Sequence, residues 1–309
     1  MIEKISYLGL PNCYRLSNGN VELVVSTDVG PRVLRYAFAA SDNIFGEVPQ
    51  LRTPTSLGDW KPWAGHRLWV APEEMPRSYA PDNSAIGFEI IDEYRITLRQ
   101  PKDLAGFAKE MTVELARNGS QVRVHHRIVN ETGAPVCIAP WAITITRGGG
   151  VTIIPQEPFR SHDECLVPAR SLVLWYFTDL TDPRIVLGRK YIQLWTDASR
   201  PEPQKVGAAN QQGWSIYYHP GLETVFAKQV EYDFAARYPD FGANTETYSA
   251  GDYMEVETLG PLKLLEPGAA VLHEERWQLF QGVKFGISEG EIDAALTPLL
   301  PRLDAAGRS

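Results

Sequence analysis

The chain has 309 residues, of which 44% are hydrophobic and 22% charged, so it can bury a substantial core in one or two domains. Its formal net charge of -8 disfavours nucleic acid as a partner, because a phosphate-binding surface needs clustered Lys and Arg. The sequence has no signal-peptide pattern and no run of about 20 apolar residues. We therefore expect no membrane partner and a cytoplasmic location.

Alternating and β-branched runs between turn residues predict an all-β protein, a large antiparallel sandwich with little helical periodicity. Asn18-Gly19 and Asn118-Gly119 lie between such runs and have the composition of tight hairpin turns. The predicted strands span residues 21–26, 33–38, 88–91, 94–99, 107–115, 121–130, 136–146, 151–155, 171–176, 185–187, 191–196, 214–218, 224–230, 253–258 and 270–279.

No linker or shift in composition divides the chain, so we expect one sandwich domain over residues 1–309. Only the carboxyl terminus, at about residues 288–298, has helical features. Ser288 and Glu291 have the spacing of a capping box, and Pro298 would end the helix.

The segment WKPWAGHRLWVAPEE, residues 60–74, concentrates aromatic and charged side chains in what we interpret as a loop. Trp63 and Trp69 would stack on the C–H faces of a sugar, while Arg67 and Glu73 would bind its hydroxyls. The alternative is that both tryptophans fill the core and Arg67 pairs with a neighbouring glutamate.

His66 is the histidine best placed to act as an acid, since imidazole titrates near neutral pH and Arg67 is adjacent. The alternative is a histidine that makes structural hydrogen bonds in the core.

Recognisable cofactor and metal motifs do not occur in the sequence. Cys13, Cys137 and Cys165 match neither a disulfide framework nor a thiolate zinc site. There is no P-loop, dinucleotide fingerprint, nucleophile elbow or zinc-protease helix. We therefore expect no metal and no cofactor.

The segment KQVEYDFAARYPDFGANTETY, residues 228–248, is interpreted as a polar and aromatic loop that leads into the next strand. Lys228 would reach a sugar hydroxyl from its own strand, and Asn244 and Glu246 follow Pro and Gly turn signals. The alternative is a solvated connection.

Tyr253, Glu255 and Glu257 are spaced at i, i+2 and i+4, so a strand would present all three side chains on one face. Met254 and Val256 would then face the apolar side, and a Pro/Gly turn would join this strand to the next. The alternatives to a binding site are a solvated face and pairing with Arg or Lys across the sheet.

Four segments, spread over nearly the whole chain, carry a resemblance to a known family: LSNGNVELVVSTDVGPRVLRYAF, GHRLWVAPEE, NTETYSAGDYMEVETLGPLKLLEPG and HEERW. Together they resemble the aldose 1-epimerase, or galactose mutarotase-like, proteins. The resemblance implies a large antiparallel supersandwich with a sugar site on the concave face of one sheet.

The resemblance also implies residue roles. Arg67 corresponds to a substrate-binding Arg and Glu257 to the catalytic Glu, which removes the proton of the anomeric hydroxyl while a His protonates the ring oxygen. At the place of that His the chain has CIAPWAIT, with Trp141 or Ala142. Either His66 supplies the proton, or the protein binds sugar without converting it and Trp141 is a stacking platform.

Two classes of function follow. The first is an aldose 1-epimerase-like enzyme that acts on a free sugar or sugar derivative, with Glu257 as base and His66 as acid and with no cofactor. The second is a carbohydrate-binding protein of the same fold. A glycoside hydrolase or lyase is disfavoured, because Glu255 and Glu257 would lie on one side of the substrate.

Overall fold

A computed structural model describes residues 1–301 and 303. The helices are α1 (Glu289–Leu296) and two 3-10 turns, Pro220–Leu222 and Asp240–Gly242. The strands are β1 (Ile2–Tyr7), β2 (Leu10–Ser17), β3 (Val21–Ser26), β4 (Arg32–Phe38), β5 (Glu47–Val48), β6 (Thr53–Thr55), β7 (Gly58–Trp60), β8 (Trp63–Ala64), β9 (His66–Ala71), β10 (Gly87–Asp92), β11 (Arg95–Gln100), β12 (Phe107–Leu115), β13 (Val122–Asn130), β14 (Val136–Arg147), β15 (Val151–Pro155), β16 (Val173–Leu174), β17 (Ile185–Leu187), β18 (Tyr191–Trp195), β19 (Gln204–Ala208), β20 (Trp214–His219), β21 (Thr224–Gln229), β22 (Thr245–Ala250), β23 (Tyr253–Leu259), β24 (Lys263–Leu265) and β25 (Ala270–Gln281).

Most of these strands belong to two large antiparallel sheets. The eleven-stranded sheet has the order β1-β2-β3-β4-β9-β14-β23-β22-β19-β16, with β24 also paired to β14. The ten-stranded sheet has the order β10-β11-β12-β13-β25-β21-β20-β15-β18-β17. Two small ribbons pair β5 with β8 and β6 with β7.

The main core lies between the two large sheets. Side chains alternate between buried and more exposed along β12 and β13, as expected for strands with one face in a core. Leu68, Val70 and Val256 of the eleven-stranded sheet pack in one cluster with Met111 and Trp277 of the ten-stranded sheet. The predicted all-β sandwich is therefore confirmed.

Both predicted hairpin turns are confirmed. β2 pairs with β3, and β12 pairs with β13. Gly19 and Gly119 have φ angles of 86° and 74°, which glycine adopts without the steric cost that a Cβ atom brings.

Two segments that were predicted as loops contain strands of the eleven-stranded sheet, so these predictions were wrong. All six residues of β9 are buried, and only two of the six in β22 are not. A strand that is covered on both faces lacks the polar alternation by which a strand is recognised.

Two further predictions need correction. The strand predicted at 171–176 is shorter, since only Val173–Leu174 pairs with β19. The strands β23 and β25 do not form a hairpin: β23 pairs with β14 and β22, whereas β25 pairs with β13 and β21 in the other sheet.

The predicted C-terminal helix is confirmed as α1, and its capping box is present. The Ser288 side chain accepts from the Glu291 backbone N–H, and the Glu291 side chain accepts from the Ser288 backbone N–H. Ile292 and Leu296 pack with Ile153 on the face of the ten-stranded sheet that is turned away from the core.

The single domain over residues 1–309 stays a prediction, and residues 302 and 304–309 of that range lie outside the described residues. No helix in the described part of the chain is both long enough and apolar enough to cross a membrane. The cytoplasmic location stays a prediction.

Candidate functional site

A row of polar side chains crosses the eleven-stranded sheet on the face turned away from the core. Arg67 in β9 faces Ile143 in β14, Ile143 faces Glu257 in β23, and Glu257 faces Glu246 in β22. Side chains of facing residues on neighbouring antiparallel strands point to the same side of the sheet. The strand register therefore brings Arg67 to the same face as Glu246 and Glu257, which are far from it in the sequence.

A second row lies on the same face, two residues further along the strands. It runs from Ile145 through Glu255 and Tyr248 to Lys205 in β19. Met254 and Val256, on the opposite face, belong to the main core. The predicted alternation in β23 is therefore confirmed.

A cavity of about 450 Å³ opens on this face, a size typical of sites for small molecules. Its wall combines aromatic rings with charged groups of both signs. The aromatic lining residues are Trp60, Trp69, Tyr79, Trp141, Trp175, Phe177, Tyr248 and Tyr253, and the charged ones are Arg52, Arg67, Glu73, Lys205 and Glu255.

Arg67 is fixed in the cavity wall by three side chains. Its Nη2 donates to Glu255 Oε1 at 2.8 Å. Its guanidinium carbon lies 5.1 Å from the ring centroid of Trp60 and 4.8 Å from that of Trp69, within the range of cation–π attraction. Arg67 thus has the charge and the rigid planar donors that the sequence predicted, and its partner is Glu255.

Glu257 lies beneath the cavity floor. It is fully buried and is not among the lining residues. Its Oε2 accepts from Trp141 Nε1 at 2.8 Å and from Lys205 Nζ at 3.0 Å. The same ammonium lies 2.8 Å from Glu246 Oε2. Lys205 and Trp141 therefore separate Glu257 from the cavity.

The charges of this group follow from burial and pairing. Burial disfavours the Lys205 ammonium, but the carboxyl groups of Glu246 and Glu257 outweigh that effect and raise the pKa of Lys205. Burial raises the pKa of Glu246 well above its usual value, against the partly offsetting charge of Lys205. Lys205 is therefore cationic at neutral pH. We call Arg67, Lys205, Glu246, Glu255 and Glu257 the cavity cluster.

His66 lies on the other face of β9, inside the sandwich. Its Nε2 is 2.8 Å from His126 Nε2, and its Nδ1 is 2.8 Å from Thr144 Oγ1. Burial, followed by the charge of Lys228, lowers the pKa of His66 well below its usual value. Because consecutive strand residues point to opposite faces, the structure does not bring His66 and Glu257 together.

Lys228 belongs to the same interior region. Its Nζ lies 2.7 Å from Glu275 Oε1 and donates to Thr144 Oγ1 at 3.1 Å. Ligand atoms of His66, His126 and Glu275 lie within 4.8 Å of one another, a spacing that suits a metal ion. Lys228 already supplies the positive charge beside Glu275. We call His66, His126, Thr144, Lys228 and Glu275 the interior network.

Of the remaining residues that the sequence predicted to bind sugar, some line the cavity and others lie outside it. Trp69 and Glu73 line the cavity, and Glu73 accepts from the Tyr79 hydroxyl. Trp63 is not a lining residue, and its indole N–H donates to Asn83 at 3.4 Å. Asn244 is fully buried and is bonded to the backbone of residue 210.

Sequence reasoning missed several residues of the site, above all Lys205. This lysine lies in the short run Gln204–Ala208, which has no alternation because all five residues are buried. Trp60 lay inside a segment that was singled out, but its neighbour Trp63 was chosen instead. Trp175 and Phe177 follow β16 and carried no signal beyond their aromatic character.

Comparison with known proteins gives no match by family model and none among curated proteins. Solved structures do match. A candidate aldose 1-epimerase from Escherichia coli K12 superposes with a TM-score of 0.55 at 11% identity, covering 87% of this chain and 99% of that chain. A galactose mutarotase-like protein from Lactobacillus casei ATCC 334 gives a TM-score of 0.52 at 12% identity, over 87% and 100%.

The fold is galactose mutarotase-like. A candidate mutarotase from Salmonella typhimurium also has it, with a TM-score of 0.55 at 11% identity over 91% of this chain and 97% of that chain. At these identities the likeness extends to the galactose mutarotase-like fold alone. The chemistry of this cavity therefore has to be argued from its own residues.

Proposed function

We propose that the protein binds a carbohydrate in the cavity on the eleven-stranded sheet. The observation that carries this proposal is the combination of tryptophan rings with the Arg67–Glu255 pair in one cavity wall. Sugar rings offer apolar C–H faces to aromatic rings, and their hydroxyls need both donors and acceptors. The galactose mutarotase-like fold supports the same class of ligand by analogy.

The energetics favour a neutral polar ligand of this kind. Arg67, Lys205 and Glu255 line the cavity and present both signs of charge. Hydrogen bonds to charged groups contribute about 1.5–3 kcal/mol each. A purely apolar ligand would displace water from these groups without adding a hydrogen bond, and each donor or acceptor atom left unpaired would cost about 1–3 kcal/mol.

Of the two candidate functions, the geometry supports sugar binding without catalysis better than epimerase activity. Glu257, the proposed base, lies behind Trp141 and Lys205. No histidine is found among the cavity-lining residues in the described part of the chain. A mutarotase mechanism requires a base and an acid that both reach the sugar.

One observation favours the enzyme as a second candidate. Glu257 Oε1 is buried and, among the described residues, has no hydrogen-bond partner. A buried carboxylate oxygen without a partner is uncommon in native proteins and is often associated with function. If the Lys205 side chain moved aside, Glu257 would be exposed to the sugar as a base, as in an aldose 1-epimerase.

Exchange NMR on a panel of free aldoses distinguishes the two candidates. We expect selective line broadening for a bound sugar with no faster exchange between its α and β anomers. Accelerated exchange that Glu257→Gln abolishes would instead establish the epimerase and Glu257 as its base. Arg67→Met should remove the broadening, and a panel with no broadening and no acceleration would contradict both candidates.

A further inference from the structure

We propose that the ligand of this cavity contains at least two sugar rings, as in a disaccharide or the end of a longer glycan. This inference rests on the proposed carbohydrate function and specifies its substrate class. It is carried by the arrangement of the aromatic residues, which form two separate clusters within one cavity.

The first cluster surrounds Trp69. Its ring centroid lies 4.8 Å from that of Trp60, 4.5 Å from that of Tyr79 and 5.3 Å from that of Trp141, all in edge-to-face contacts. These residues hold one another in place, as mutual edge-to-face packing favours. They form a rigid aromatic surface in the cavity wall, with the Arg67 guanidinium against Trp60 and Trp69.

The second cluster surrounds Tyr248. Its ring centroid lies 6.5 Å from that of Phe177 and 6.0 Å from that of Tyr253. Phe177 lines the cavity and is nevertheless 43% exposed. An exposed ring at the edge of a cavity is available for a ligand that extends toward solvent.

The two clusters are separated along and across the sheet. Trp69 is on β9 and Tyr248 is on β22, three strands further on in the order β9-β14-β23-β22. At about 4.8 Å per strand, their backbones are roughly 14 Å apart across the sheet. They also belong to different rows, since Trp69 faces Trp141 whereas Tyr248 faces Glu255. One sugar ring, roughly 6 Å across from its bond lengths, is less than half of this backbone separation.

Charged groups lie between the two clusters, where hydroxyls of adjoining rings would be. The Lys205 ammonium lies 4.6 Å from the ring centroid of Trp141 and 4.6 Å from that of Trp175. Glu255, bonded to Arg67, lies in the same row as Tyr248. Polar groups between two stacking surfaces suit a chain of linked sugars better than a single ring.

The volume agrees with this arrangement. A hexose occupies about as much space as six waters, roughly 180 Å³ at about 30 Å³ per water. The cavity, at about 450 Å³, is more than twice that size. A single ring would leave much of the aromatic wall in contact with water.

The test compares matched monosaccharides and disaccharides by isothermal titration calorimetry. The probes are glucose, galactose, mannose and xylose, with maltose, cellobiose, lactose, mannobiose and xylobiose. We expect the preferred disaccharide to bind at least about tenfold more tightly than either of its constituent sugars, the factor expected from a second stacking surface. Phe177→Ala should bring the disaccharide-to-monosaccharide affinity ratio down toward one.

Tyr176→Ala is the matched control. Tyr176 is adjacent to Phe177 in sequence and fully exposed, and it does not line the cavity. This substitution should leave both affinities unchanged. Neither change removes a buried side chain, so both variants should fold, and thermal unfolding would verify this.

The outcomes separate the inference from the proposed function. Equal affinity for a disaccharide and its monosaccharide would overturn the two-ring inference and leave sugar binding in place. A disaccharide preference that survives Phe177→Ala would overturn the assignment of the second ring to the cluster around Tyr248, because that ring would then bind elsewhere. No binding by any sugar would overturn the proposed function and the inference together.

Discussion

Two groups of buried polar and charged residues lie on opposite sides of the eleven-stranded sheet, the cavity cluster on its outer face and the interior network between the two sheets. In the interior network, both ring nitrogens of His66 and of His126 have hydrogen-bond partners. In the cavity cluster, Glu257 Oε1 and Arg67 Nε have none within the described residues. Because a buried polar atom without a partner costs about 1–3 kcal/mol, the difference separates a stabilising network from a site with binding capacity.

The interior network is consistent with neutral histidines in defined tautomers. His126 Nδ1 lies 3.1 Å from the backbone carbonyl of His273, which can only accept, so Nδ1 carries the proton. His126 Nε2 therefore accepts from His66 Nε2, and His66 Nδ1 accepts from the Thr144 hydroxyl. In this assignment each ring nitrogen of His66 and His126 has one hydrogen-bond partner.

The largest expected effect is the loss of the interior ion pair. In Lys228→Met, the fully buried Glu275 carboxylate would lose the ammonium group at 2.7 Å and keep only hydrogen bonds from uncharged donors such as Thr258 and Trp277. Breaking a buried pair in this way costs about 3–5 kcal/mol, measured as the free energy of unfolding in urea. Lys284→Met is the matched control, since the pair of Lys284 with Glu223 is solvent-exposed, and it should change stability by less than about 1 kcal/mol. Equal effects of the two changes would contradict the assignment of the interior network as stabilising.

The second-largest expected effect is a loss of stability in acid that arises from the buried histidines of the interior network. Burial lowers the pKa of His126 from 6.5 to about 3, that of His66 well below its usual value, and that of the neighbouring His273 from 6.5 to about 4. Below pH 6.5 these histidines bind protons in the unfolded chain but stay neutral in the folded protein. The free energy of unfolding therefore has its full value above pH 6.5 and falls as the pH decreases toward 4. The slope should be about 1.4 kcal/mol per pH unit for each histidine.

Urea unfolding at half-unit steps from pH 7.5 to 5 measures this slope. His126→Gln should reduce the slope by the contribution of one histidine, about 1.4 kcal/mol per pH unit, whatever the substitution does to the free energy of unfolding at pH 7.5. His162→Gln is the control, because His162 is exposed, and it should leave the slope unchanged. A slope that His126→Gln does not alter would exclude His126 as a source of the pH dependence.

The sequence predicted the alternation of β23 and the all-β class, because one-sided burial leaves a period of two in the residues. It did not predict that His66 and Arg67 are separated by the sheet, since that required recognising HRLWVA as a strand buried on both faces. The role of Lys205 could not be predicted from the sequence for a related reason. Its role depends on the pairing of β19 with β22, a long-range contact that no local pattern specifies.

Lys205→Met tests whether the cavity cluster tolerates the loss of its cation better than the interior network does. Glu257 would keep the hydrogen bond from Trp141. Water from the adjoining cavity would also reach the remaining charge. We expect a loss of about 1–3 kcal/mol in urea unfolding, clearly smaller than for Lys228→Met. A loss as large as that of Lys228→Met would show that the two clusters are equivalent in stability.

Arg67→Lys should have the smallest effect on stability and a specific effect on binding. Lysine keeps the charge beside Glu255 but lacks the planar donors that lie between the rings of Trp60 and Trp69. We expect a loss of about tenfold in sugar affinity by calorimetry, with less than about 1 kcal/mol lost in the free energy of unfolding.

Arg32→Lys is the control, because Arg32 faces Arg67 across β4 and β9 but bonds Asp82 and does not line the cavity. If both arginine variants reduced sugar affinity equally, the effect would come from the charge of the sheet and not from contact with Arg67. A loss confined to Arg67→Lys would assign its donors to the ligand and separate the binding face from the stabilising one.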